Sequence, residues 1–214
     1  MDPVPAVPAA VRVAMIRRGL RLNYLTIGYN ALEGTASLVV GVISGSVALT
    51  GFGFDSVIEV SASLAAQWRL RRDAEPHHRE RAEYATRRIV GWCFIALAAY
   101  ITYDSLQSLL RREAPDRSVV GIVILALSAV VMPLLARAKR RVARGLSSRA
   151  LEGEAAQTSL CAYLSVIALA GVALNATMGW WWADAAAALA MVPIITHEGL
   201  EGVRGEACDD DCRA

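Results

Sequence analysis

Apolar residues in this chain come in blocks. Uncharged or nearly uncharged stretches fall at residues 22–44, 47–68, 89–110, 119–136, 155–178 and 183–199, with the charges crowded between them. Each block approaches the roughly 20 residues that a helix needs to cross a hydrocarbon core of about 30 Å. The pattern predicts an all-α fold, an integral membrane bundle of six transmembrane helices, and it excludes the soluble enzyme folds. Six such spans take about 120 of the 214 positions. The expected organisation is a basic lead-in at 1–21, a six-helix transmembrane domain at 22–200 and a short acidic, Cys-bearing tail at 201–214. No separate soluble domain fits. No removable signal peptide is expected either, since no short apolar run is followed by a small-residue cleavage site.

Composition alone would not decide this, because 55% apolar and 20% charged residues also suit a soluble domain. The distribution of basic residues adds orientation. The lead-in carries Arg12, Arg17, Arg18 and Arg21; the second connection carries Arg69, Arg71, Arg72, Arg79, Arg81, Arg87 and Arg88. The fourth connection holds Arg137, Lys139, Arg140, Arg141, Arg144 and Arg149, and the tail holds Arg204 and Arg213. Only Arg111, Arg112 and Arg117 lie on the other side. Under the positive-inside rule both termini are cytoplasmic, in a membrane of the bacterial plasma (inner) type. A net charge of +2 is too small to imply nucleic-acid binding. Cys208 and Cys212 then face a reducing compartment while Cys93 and Cys161 lie within spans, so no disulfide framework is expected.

The connections describe a compact bundle. Ser44-Gly45-Ser46 is all that joins spans one and two, and Trp180-Trp181-Trp182-Ala183-Asp184 joins spans five and six, so each pair is antiparallel. Gly34, Ala36, Gly41, Gly45, Gly51 and Gly53 let the first two helices approach closely where lipid supplies no hydrophobic drive. The three Trp residues read as anchors at the water–lipid boundary.

The informative residues are polar ones inside spans, since a charge near the bilayer centre costs on the order of 2.5–3.5 kcal/mol. Asp55 and Glu59 are four apart, on one helical face about 6 Å along the axis from each other. They repel when both are ionised, and a cation or a proton relieves the repulsion. In span five Glu154, Gln157 and Cys161, with Ser165 a turn further on, share a second stripe. Facing each other, the two stripes would collect carboxylate, amide and thiol groups into a divalent-metal site suited to Zn²⁺ or a similar borderline metal. The plainer alternatives are a structural polar pair at 55 and 59 and a space-filling thiol at 161. Cys208 and Cys212 flank three Asp residues and are a candidate soft-cation trap, and His77-His78 a candidate accessory site in the second connection. Asn30 and Glu33 divide evenly between structural and functional readings. Asp104 is explained by snorkelling beside Tyr100 and Tyr103, and His197, with Glu198 and Glu201, reads as a cytoplasmic boundary group.

The run Gly45-Ser46-Val47-Ala48-Leu49, followed by Phe54-Asp55-Ser56-Val57-Ile58-Glu59, resembles the second-span signature of the cation diffusion facilitator family, exporters of Zn²⁺ and related divalent metals. Asp55 and Glu59 occupy that signature's acidic positions. Glu154, Gln157 and Cys161 fall where the family's fifth span has Asp, His and Asp, so two of the three ligand types differ. The resemblance implies a cation/proton antiporter exporting metal from the cytoplasm, with no prosthetic group and no enzymatic step, and a homodimer in the lipid bilayer. The chain looks like the short form of the family, lacking the cytoplasmic C-terminal domain. Two alternatives stand beside this: a non-transporting zinc-binding membrane scaffold or regulator, and a proton-coupled exporter of small organic cations. The second would favour an aromatic cage around its carboxylate, whereas near Asp55 there are only Phe52 and Phe54.

Overall fold

The computed structural model describes the backbone of residues 9–72, 76–146 and 149–204 and the side chains of residues 13–64, 88–146 and 152–204. Among these the chain forms six helices and no strand: α1 (Ala9–Ser44), α2 (Val47–Arg72), α3 (Pro76–Arg111), α4 (Val119–Leu146), α5 (Arg149–Met178) and α6 (Ala183–Arg204). The protein is an all-α membrane bundle. By length and hydropathy α2, α3, α4 and α5 are each apolar enough to cross a bilayer. The other two apolar blocks, α1 and α6, are also helical; α6 buries mainly small and apolar residues, whereas the inward face of α1 is polar. In α1, Asn23, Thr26, Asn30, Glu33 and Ser37 recur every three or four residues as one buried stripe, about 21 Å long at 1.5 Å per residue.

The helices associate as α1 with α2, α3 with α6 and α4 with α5, and α2 also reaches α3, α5 and α6. Both short hairpins expected from the sequence are present. Gly45 makes the first with φ +67°, a left-handed conformation that costs Gly nothing and most residues much. Close approach between α1 and α2 depends on Gly34, Gly41 and Gly53. Gly51 instead faces Ile101 of α3. A crossing the sequence did not announce lies between α3 and α6, where a Cβ on Gly91 would stand 2.6 Å from the Val203 amide nitrogen. Trp180 and Trp182 stack at 5.3 Å between α5 and α6.

Two residues have roles that the sequence reading did not assign. Asp184, read both as the end of the connection and as part of the block at 183–199, lies in the first turn of α6 and is 1% exposed. Its Oδ1 accepts from Ser46 Oγ at 2.6 Å and its Oδ2 from the Val47 amide at 2.8 Å, so it caps the start of α2. Such a carboxylate satisfies amides that an isolated helix leaves unpaired and complements the helix dipole. Lys139, counted above with the charges outside the spans, is buried in α4 at 3% exposure. It continues the stripe of Leu125, Ser128, Met132, Leu135 and Ala136 that faces the bundle.

Candidate metal centre

The two polar stripes do meet. Helix α2 sends Asp55 and Glu59, four residues apart, toward α5, which presents Cys161. All three are buried, and one ligand atom from each lies within 4.8 Å of the others. Donors around a tetrahedral Zn²⁺ would stand about 3.5 Å apart, given metal–oxygen and metal–sulfur bonds of roughly 2.1 and 2.3 Å. A contraction of about an ångström, within reach of side-chain rotation, would bring the set to bonding distance.

The surroundings distinguish these groups. Asn30 of α1 donates from Nδ2 to Glu59 Oε2 at 2.8 Å, fixing that carboxylate while leaving its other oxygen available. Asp55 Oδ2 accepts no hydrogen bond, although it is buried. Gln157 lines a small cavity with Asp55, Glu59, Phe94 and Glu198, about 10 Å³ in volume and so large enough for one water-sized occupant. Gln157 thus stands on the wall of the same cavity as the two carboxylates. Ser165 turns back to its own helix, donating to the Ala162 carbonyl.

Glu154 is placed differently. Its Oε2 lies 3.5 Å from Lys139 Nζ, and it is not among the three groups whose ligand atoms converge. Cys208 and Cys212 lie outside the described residues, as do the side chains of His77 and His78. Cys93 is exposed and Cys161 buried, and both are free thiols.

Two neighbouring residues of α6 were read from the sequence as a cytoplasmic boundary. Glu198 lines the cavity, while His197 pairs with Glu201 at 3.4 Å. Glu198 was legible in principle: it lies three residues beyond Ile195 and seven beyond Met191, on the buried side of α6. Glu33 stands beside Tyr29 and Ser128 with neither oxygen in a hydrogen bond of good geometry. Asp104 accepts from the Tyr100 hydroxyl at 3.2 Å, in keeping with an interfacial position.

What the arrangement offers is two oxygen donors and one sulfur donor in a dry interior. Hard carboxylates with one soft thiol suit a borderline divalent metal better than Mg²⁺ or Ca²⁺, which want six or more oxygens.

The family description "cation efflux transmembrane domain" fits residues 25–204. An uncharacterized transporter from Synechocystis sp. is 29% identical over 178 residues, covering 78% of this chain and 56% of that protein. The chain thus spans little more than half the length of this curated relative.

Proposed function

Given that the chain belongs to the cation efflux family, we propose that it carries a divalent metal cation of the Zn²⁺ class across the membrane, exporting it from the cytoplasm in exchange for protons. The observation that carries this reading is the convergence of Asp55, Glu59 and Cys161 from two helices within 4.8 Å. Gln157 serves as a weaker, neutral ligand from the cavity wall. The termini lie in the cytoplasm of a bacterial-type inner membrane, as the basic connections imply, and the protein works as a homodimer.

The chemistry follows from competition for the same atoms. A metal binds carboxylate and thiolate, so its arrival displaces protons, and affinity falls as pH falls. An ion taken up on the cytoplasmic side binds with release of protons. When the bundle rocks so that the site faces the other way, protons compete for the same ligands and the ion leaves. Because the site holds either cargo or protons, the two fluxes are coupled.

A reconstituted flux assay tests this. Proteoliposomes under an imposed pH gradient should move Zn²⁺ and Cd²⁺ in preference to Mn²⁺, and acidifying the side of uptake should slow them. Asp55→Ala should remove the flux while the protein remains folded in size-exclusion chromatography. Equal leak for every ion, with or without the substitution, would favour a scaffold that binds without transporting.

A further inference from the structure

The end of the bundle that carries both hairpins is bonded shut. The connection between α3 and α4, residues 112–118, crosses that end and is held through its own backbone. The Asp116 amide donates to the Ser44 carbonyl at the end of α1, at 2.7 Å, and the Pro115 carbonyl accepts from Asn175 Nδ2 on the last turn of α5, at 2.9 Å. Asn175 is buried, and an amide side chain inside a span is costly unless it is bonded. The connection thus joins α1 and α5 to α3 and α4, while Asp184 joins α6 to α2. Between this end and Asp55, α2 places Leu49 and Phe52, which belong with Ile101 of α3 and Leu125 of α4 to one apolar cluster, all four fully buried. The small cavity beside the carboxylates is directed the other way. It reaches Glu198, about 21 Å along α6 from Asp184 at 1.5 Å per residue.

We propose that the α3–α4 connection is a strap that holds the hairpin end closed, and that its bonds to Ser44 and Asn175 part when the metal centre opens toward that end. Its place in a transport cycle rests on the cation-transport reading above. Arg112, at φ +54°, and Ser118, whose Oγ accepts from the Gly121 amide, mark the two ends of the strap. Both holding bonds use backbone atoms of the strap, so its exposed side chains are not what secures it. Two hydrogen bonds are weak enough to be broken and remade in each cycle, as a packed core is not.

Cys161, buried at the metal centre, is the reporter. In the full chain carrying Cys93→Ser, Cys208→Ser and Cys212→Ser, it is labelled with a charged thiol reagent that does not cross lipid, in right-side-out and in inverted vesicles. A separate Glu113→Cys sample identifies which preparation presents the strap. The parent should label more slowly from the hairpin end than from the other, and the reverse order overturns the proposal. Asp116→Pro deletes the amide that donates to Ser44, and Asn175→Leu deletes the donor to Pro115. Each should speed labelling from the hairpin end by about tenfold, the order of effect of one lost hydrogen bond, and leave labelling from the other end unchanged or slower. Asp116→Ala, which keeps the amide, should match the parent. Equal acceleration from both ends is what general loosening gives, and it overturns the proposal, as does unchanged labelling in either variant that folds. If one variant does not fold, the other decides by the same criteria. Zn²⁺ flux through the same proteins separates the two readings: a parent that moves no metal removes the transport reading, while the labelling still judges the strap.

Discussion

Asp55 and Asp184 are both aspartates sunk in the bundle, and the protein treats them in opposite ways. Asp184 meets a hydroxyl and the amide nitrogens of Val47 and Ala48. Its negative charge is answered within the protein, and the result is mechanical: α6 is fastened to the start of α2. Asp55 has Glu59 and a thiol for neighbours and an oxygen that accepts no hydrogen bond. Burial without donors is expensive, so this second arrangement is one that a cation would complete. The pair teaches that a carboxylate inside a membrane protein is read by its donors, not by its depth.

The contrast is breakable. The largest effect belongs to Asp55→Asn, which should cost about 100-fold or more in Zn²⁺ affinity, since outer-shell partners alone are worth 10- to 100-fold. Its melting temperature in detergent should hold or rise, because an unsatisfied charge has been removed; a large fall would erase the distinction. Asp184→Ala should do the reverse. Each stranded donor costs about 1–3 kcal/mol, so the melting temperature should drop by several degrees while metal affinity stays with the parent protein. Asn30→Leu sharpens the comparison from the other end, since the hydrogen bond orienting Glu59 is lost, and affinity should fall about tenfold with little change in melting. Smallest is Ser46→Ala, worth about 0.5–1.5 kcal/mol, because the Val47 amide still holds Asp184; isothermal unfolding in denaturant would resolve it from Asp184→Ala.

Much of this was legible in the residue order. Six apolar blocks gave six helices, and the short links gave the two hairpins, because span length and loop reach are set by bilayer thickness and chain geometry. The spacings at 55, 59 and 161 were enough to put two polar stripes on the helices that turned out to touch. Lys139 was missed because it sits in a run of basic residues, Arg137, Lys139, Arg140 and Arg141, that looks like a cytoplasmic border. Helix α4 continues past that border to Leu146, and position 139 falls on its inward stripe while Arg140 and Arg141 do not. Asp184 was overlooked because it stands at the junction of the Trp-rich connection and the last apolar block, where a lone charge looks like a border. Both errors come from judging charge by its sequence neighbours when the helical period decided its direction.

The polar face of α1 and the two-residue link after it have a consequence for how the protein is made. Alone in lipid, α1 would expose Asn30 and Glu33 to hydrocarbon, an outcome that insertion penalises. With only Gly45 and Ser46 between them, α1 and α2 are handed to the bilayer nearly together, and Asn30 finds Glu59 across the hairpin. The expectation is that the first two segments enter the bilayer together, each supplying the partner that makes the other tolerable.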